Sequence, residues 1–527
     1  MRRVKRYFLN ALLLSGVSIL MQTVSVSFNV YVSGRVGAEG MGLLTLIFTV
    51  TGFATTLAAS GVQLAVVKMT AEVIPYEEAR INATVSGRVR NVMRASLLYS
   101  TFFGVLAAVL LFSLARVLAI HALGDVRALP SLRLYAVSLP FIAVASALNG
   151  YFSGVRRVHK NVAARLGEQG VKVYLTSLLL ASLAPSGVTY ACAAVVGGGA
   201  VSEMISLGIS ALLYIRDRRK FFVSARESEK DSALKPLISI AFPVALSTYA
   251  RSALLTVEHL AIPWGLKQYG VSSSAALASY GILHGMVFPL LLFPSAVLSS
   301  FAGLLIPEMA ECHASGQKRR IEYITARMFQ VSLIFSIGVA GIFVCFSHEI
   351  GTVIYGSTEA AEHIRVLAPL IPLMYLDGAV DSILKGLGQQ LYSMKVNITD
   401  SLTGILMVVI LLPHMGIRGY RLVIFVCEAL NASLSILKLL EVTGLRANPL
   451  RWIFKPLLAV VGATLLWRPL VDHGILLSLL ADGRSQLIGG IIGAALVYLI
   501  FILLLGSISR EDIGWARGIL RAEKRTT

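Results

Sequence analysis

Charge is what this sequence has least of. Only 14% of its 527 residues are Asp, Glu, Lys or Arg, where soluble domains carry about a quarter. Hydrophobic residues make up 56% and mean hydropathy is +0.76. That leaves too little polar surface to cover a soluble core, which excludes soluble enzymes, DNA-binding domains and secreted modules. Cysteine is almost as scarce. Cys192, Cys312, Cys345 and Cys427 lie far apart with no CxxC pair, so neither a metal ribbon nor a disulfide framework is expected. The histidines are scattered, with no HExxH motif and no nucleophile elbow, and the Gly197–Gly199 run lacks Walker A or Rossmann context. No catalytic constellation, bound cofactor or metal is therefore expected, and the chain is not read as an enzyme.

Long apolar runs, by contrast, are abundant. A membrane-spanning helix needs about 20 mostly apolar residues. Candidates lie near 9–32, 42–67, 95–115, 134–155, 166–184, 188–214, 236–257, 276–305, 328–346, 364–385, 396–412, 420–440, 456–471 and 485–506. The expected fold is an all-α polytopic membrane protein of about fourteen spans. The opening MRRVKRYFLNALLLSG has the charge pattern of a signal peptide, but its apolar stretch continues to Val32. It is read as an uncleaved first span.

The net charge of +19 has a membrane explanation that requires no nucleic acid: cations are retained in cytoplasmic loops beside anionic lipid. With the N-terminus inside, inner segments hold 35 of the 47 Lys and Arg and outer segments hold 10. Lys172 and Arg251 remain within spans. The expectation is a bacterial cytoplasmic-membrane protein with both termini cytoplasmic.

An internal repeat is visible. LRLYAVSLPF (132–141) and IRVLAPLIPL (364–373) align Arg133 with Arg365 and Pro140 with Pro372, and Gly154 falls on Gly386 at the same offset. VVKMTAE (66–72) resembles IPEMAE (306–311). This predicts two six-helix lobes of like orientation, at 1–220 and 221–445, with 446–527 carrying two further spans and a tail. Parallel repeats of this kind put a substrate path at their interface.

Charged groups inside spans are costly and normally face protein or water. The first span carries Ser15, Ser18, Gln22, Ser25 and Asn29, spaced to share one helix face. Close helix packing accounts for serines in such a stripe; the amides of Gln22 and Asn29 are harder to place that way. The seventh span holds Arg251 and Glu258, two turns apart and about 10 Å along the axis, too far to pair but suited to line one cavity. A structural ion pair is the plainer role for Arg251, and a substrate-facing one is preferred because it is mid-span and permanently charged. Span ten carries Asp377, Asp381 and Lys385 in one stripe, span eleven opens with Asn397, Asp400 and Ser401, and span twelve holds Glu428 and Asn431. Asp377, Asp381, Asn397 and Asp400 are the candidate oxygen ligands for Na⁺ or carriers of a proton. Glu168 and Lys172, at i and i+4, are expected to neutralise each other, with Glu203 and Ser206 on the next span.

Three segments carry a family resemblance: GRVGAEGMGLLTLIFTVTGFATTLAASGVQLAVVKMTAE (34–72), ASYGILHGMVFPLLLFPSAVLSSFAGLLIPEMAE (278–311) and PLMYLDGAVDSILKGLGQQLYSMKVNITDSLTG (372–404). They resemble polysaccharide-biosynthesis transporters of the stage V sporulation protein B type, within the multidrug/oligosaccharidyl-lipid/polysaccharide flippase superfamily. The resemblance runs over nearly the whole chain and implies two lobes around a central cavity. It also implies two extra helices that form a groove for a lipid tail, as in the lipid II flippases. Those flippases group arginines in their first spans to hold a diphosphate; here Gln22, Phe28 and Asn29 occupy that span, while Arg251 fits the second-lobe arginine and Arg35 the outer mouth.

The expected substrate is an undecaprenyl-diphosphate-linked saccharide, peptidoglycan lipid II being one example, touching Arg251, Glu258, Gln22, Asn29, Ser18 and Arg35. Membrane lipids and cell-wall synthesis proteins are the expected partners. The alternatives are a cation-coupled multidrug exporter of the same fold and a membrane-embedded glycan polymerase or scaffold. The central Arg251 opposes the first, and the lack of a long outer loop opposes the polymerase.

Overall fold

Inside a bilayer the backbone must satisfy its own hydrogen bonds, which restricts spanning structures to helices and closed barrels. The computed structural model describes residues 2–73, 83–221, 233–445, 448–472 and 483–507. Every regular element among them is a helix. Eleven stretches are long and apolar enough to cross a membrane, and the protein is a multi-pass helical membrane protein. Helix α3 (Ala83–Val117) shows why. Leu98, Phe102, Val105, Val109 and Phe112 are all exposed, and their spacing of four, three, four and three puts them on one face. In water such a stripe would be a liability, whereas in lipid it is the ordinary outer surface.

Two of the eleven stretches are double length, Gly16–Val73 with 58 residues and Gln390–Thr443 with 54. A straight 54-residue helix would extend about 81 Å, far beyond a hydrocarbon core of about 30 Å. Each contains a glycine that interrupts the helix. Within α1 (Arg2–Ala59), Gly37 has φ 76° and ψ 174°; within α15 (Gln390–Thr443), Gly416 has φ 57° and ψ −138°. Sequence patterning expects loops near 33–41 and 413–419, but helix runs up to the glycine on both sides. A residue without Cβ takes a positive φ that breaks the helix at a single position. A further break separates α1 from α2 (Val62–Val73) at Ser60 (φ 45°) and Gly61 (φ 69°). Helix α5 (Val158–Leu183) lies outside the eleven because Lys160, Arg165, Glu168 and Lys172 load its first half.

The chain forms two compact units, Arg35–Gly281 and the remainder, Met1–Gly34 with Ile282–Thr527. In the first, α3 packs on α4 (Leu129–Gly154), and α4 and α5 both pack on α6 (Val188–Phe221). Helix α7 (Leu234–Gln268) lies against α2 and α3, followed by α8 (Ser273–Tyr280). Val62, Val66, Met93, Leu148, Tyr151 and Phe152 form its core with Leu237 and Ala241. At one end Asp217 of α6 is almost fully buried between Arg157 Nη1, 2.8 Å from its Oδ2, and the Lys160 ammonium.

The second unit continues through α9 (Phe288–Leu292), α10 (Ser295–Ala314), α11 (Lys318–Cys345), the single turn α12 (Ser347–Glu349) and α13 (Thr358–Leu367). It ends with α14 (Ile371–Gly386), α15, α16 (Lys455–Asp472) and α17 (Gly483–Leu504). The span expected at 276–305 is not one helix: residues Gly281–Val287 take π geometry, and Pro294 caps α10. Tyr355 Oη donates to Met286 O at 3.0 Å and Tyr375 Oη to Leu291 O at 2.5 Å, so tyrosine hydroxyls serve carbonyls along the irregular stretch. Helices α16 and α17 dock through glycines. Tyr498 fills the space beside Gly338 of α11, and Phe501 that beside Gly462. Tyr498 Oη donates to Ile334 O at 2.7 Å, and Arg468 donates to Cys345 O and pairs with Glu349, both at 2.7 Å.

The sequence repeat is also a packing repeat. Gly154, ending α4, sits against Thr70 and the Val67 carbonyl of α2; Gly386, ending α14, sits against Met309 and the Ile306 carbonyl of α10. A Cβ at either glycine would come within 3 Å of its neighbour. In each copy the same close helix crossing depends on the same missing side chain.

Candidate transport site

Arg251 is the eighteenth of the 35 residues of α7. Its side chain is exposed and makes no ion pair among the described residues. The residues around it are anchored. Tyr249 Oη donates to Ser60 Oγ at 2.6 Å, and Ser252 Oγ lies 3.4 Å from Thr56 Oγ1. Tyr99 completes the corner by donating to Ser60 O at 3.1 Å. These hydroxyls hold the left-handed Ser60, a conformation a residue with Cβ adopts only when its surroundings enforce it. They fix the height of α7 and with it the position of Arg251. Glu258, two turns on, is half-buried, and neighbouring His259 Nδ1 lies 2.7 Å from Tyr280 Oη.

Ser18, Gln22 and Asn29 belong to the other unit, and Arg35 begins the unit of Arg251. Ser18, Ser25 and Arg35 are exposed and Gln22 is half-buried; the Ser15 side chain is outside the described set. Asn29 Oδ1 is buried without a hydrogen-bond partner among the described residues.

The acidic residues of α14 and α15 separate into two groups. Asp381 pairs with Lys385 at 2.5 Å. Asp377, Asp400 and Glu428 are close enough to interact electrostatically. Asp400 shares a hydrogen bond with the Cys427 thiol, and its Oδ1 is buried without a partner among the described residues. Asn397 Nδ2 donates to Ser393 O at 2.7 Å, which leaves its oxygen as the available atom. Glu428, on the second half of α15, is not among the ligands that the sequence singles out, because nothing in its spacing ties it to span ten. No group of three or more His, Cys, Asp or Glu side chains has metal-binding geometry among the described residues. Three carboxylates together in a membrane interior are instead suited to a proton or a weakly held hard cation.

Two acids in the unit of Arg251 have partners that local spacing does not predict. Glu168 accepts from Ser206 Oγ at 3.0 Å instead of pairing with Lys172. Glu39 pairs with Arg127 at 2.6 Å and accepts from Ser274 Oγ at 2.7 Å, while Arg127 also pairs with Asp125 at 2.7 Å. Nothing in the sequence links Glu39 to an arginine 88 residues further along the chain.

The second unit also carries an apolar groove of about 390 Å³ between α11, α14 and α16, lined by residues such as Ile337, Val344, Pro372, Leu457, Val461 and Leu465.

Known proteins share this architecture. The family model described as "Polysaccharide biosynthesis protein" matches residues 8–313, and the MatE model matches 253–410. The chain is similar to stage V sporulation protein B of Bacillus subtilis (strain 168), 25% identical over 530 residues and covering 97% of each chain. Among solved structures it is similar to an inward-facing multidrug resistance MATE family transporter of the MOP superfamily, with TM-score 0.64, 16% identity, and 82% of this chain and 98% of that one covered. It is also similar to the lipid II flippase MurJ in an inward closed conformation, with TM-score 0.60, 14% identity and coverage of 94% and 97%. The fold is the one these two transporters share, and the chain belongs to the polysaccharide biosynthesis protein family.

Proposed function

We propose that this protein is a flippase that carries an undecaprenyl-diphosphate-linked saccharide, such as lipid II, from the inner to the outer leaflet by alternating access. The observation that carries the reading is Arg251, exposed at mid-helix without an ion pair among the described residues. A guanidinium facing lipid costs about 2.5–3.5 kcal/mol on insertion scales, so an exposed one belongs to a wet surface or to an anionic ligand. A diphosphate suits it, because Arg presents a planar fork of donors. The apolar groove beside α16 suits an isoprenoid tail. No covalent step is required. A cation-coupled multidrug exporter is the second reading, favoured by the MatE match over 253–410; a permanent cation at position 251 opposes cationic cargo.

On this reading both termini are cytoplasmic. The variants His121→Cys and Thr358→Cys, at exposed positions, should react with an impermeant thiol reagent added to intact cells. Glu229→Cys, outside the described residues, should not react. Reversed labelling would reverse the proposed direction of transport.

A headgroup with about two negative charges gains about 4.6 kcal/mol on moving outward across 100 mV, inside negative. Return of the empty carrier is assigned to a cation held by Asp377, Asp400 and Glu428. Flipping in reconstituted vesicles should fall when the potential is collapsed at fixed pH, and Asp377→Asn should weaken Na⁺ dependence several-fold while lipid binding persists. Transport that ignores potential and Na⁺ but stops when a pH gradient is removed would identify a proton-coupled carrier.

A further inference from the structure

A cavity of about 400 Å³ lies wholly within the unit of Arg251, where α1, α2, α4 and α7 meet. Its polar lining is Thr55, Thr56, Gln63, Ser146 and Thr248, and no charged side chain contributes among the described residues. The cavity has a structural cause. At Gly61 the chain passes so close to α7 that a Cβ would stand 2.5 Å from the Ala241 carbonyl. Thr248, about two turns further along α7, lines the space that this crossing leaves.

The lining has a definite hydrogen-bonding character. Thr56 Oγ1 donates to Gly52 O at 2.9 Å and Thr248 Oγ1 to Ala245 O at 2.8 Å. Their protons are committed to backbone carbonyls, and their lone pairs remain to accept. Thr55 Oγ1 shares a 3.0 Å bond with Tyr135 Oη. The Gln63 amide supplies both donors and an acceptor. Apolar Ala59, Val62 and Val67 complete the wall. Uncharged acceptors, one amide and an apolar wall suit a neutral ring bearing many hydroxyl or acetamido groups. The volume falls within the usual range for small-ligand sites, about 300–1,000 Å³. Thr248 and Arg251 are i and i+3 on α7, hence neighbours on one face.

We infer that this cavity is the saccharide subsite of the carrier: it takes the first sugar of the headgroup while Arg251 takes the diphosphate. The inference rests on the flippase reading and adds the residues that distinguish a glycolipid from a bare lipid diphosphate. An organic cation finds no carboxylate in the described lining, and a free phosphate finds no cation.

The test uses the full chain in nanodiscs, with undecaprenyl diphosphate and lipid II as the two probes. The wild type should bind lipid II at least tenfold more tightly than undecaprenyl diphosphate. The double variant Gln63→Leu/Thr248→Val should lose most of that preference by weakening lipid II alone, whereas Arg251→Ala should weaken both lipids. In a second measurement, alkylation of Ser146→Cys should be slowed by lipid II and not by undecaprenyl diphosphate; this readout needs no variant of Gln63 or Thr248 to fold. Equal binding of both lipids by the wild type, an undiminished preference in the double variant, or alkylation of Ser146→Cys that lipid II does not slow would overturn the subsite and leave the flippase reading standing. A wild type that binds neither lipid would overturn both.

Discussion

Arg251→Ala should abolish lipid translocation while leaving the protein inserted and folded. A diphosphate entering the membrane gives up its water shell and needs charge-assisted hydrogen bonds in return. Each is worth about 1.5–3 kcal/mol, so losing a bidentate pair costs about 3 kcal/mol at least, or roughly 100-fold in affinity. Arg251→Lys should recover only part of this, because an ammonium keeps the charge but not the fork. Folding should be spared because Arg251 is exposed and pairs with no described acid, while Tyr249 and Ser252 anchor the helix on either side. Unimpaired flipping by Arg251→Ala would make the arginine a structural residue. Translocation of lipid II in reconstituted vesicles, alongside the melting temperature in detergent, is the measurement.

Asp217→Ala should produce the largest loss of stability. The carboxylate side chain is 4% exposed, and it compensates Arg157 and Lys160, at 14% and 17%. Removing the acid leaves two largely buried cations facing each other, with Lys160 also set over the Phe152 ring at 5.5 Å. Breaking a buried pair costs about 3–5 kcal/mol; the lower end applies because both cations retain some access to solvent. A melting temperature lower by roughly 3 °C is expected. Adding Lys160→Met should restore part of it, and Arg157→Ala alone should cost less, since Lys160 still holds the acid. A melting temperature unchanged in Asp217→Ala would show that the ion triad contributes nothing to stability.

Hydropathy makes the helical fold legible, because a bilayer allows few other structures for such runs. The repeat is legible too, and Gly154 and Gly386 show its physical basis in two matching close crossings. The helix breaks are not: patterning suggests loops of several residues where single glycines, Gly37 and Gly416, interrupt the helix. Site residues on one helix, such as Arg251 and Glu258, stand out because charge in an apolar run is visible by itself. Glu428, Glu39 and Asp217 acquire their roles from partners on distant helices, and no local spacing encodes those pairings. The hydroxyls around the 400 Å³ cavity are hidden for another reason. Threonine and serine are common in membrane helices, and only the packing of four helices gathers these five polar residues.

The most direct test of the central claim follows labelled lipid II across vesicles containing the purified protein, with an inside-negative potential and ethidium as a competing cargo. The account predicts transfer of lipid II to the outer leaflet, faster with the potential than without it, and no export of ethidium. Export of ethidium driven by a cation gradient, with lipid II left in the inner leaflet, would contradict it and identify a multidrug exporter.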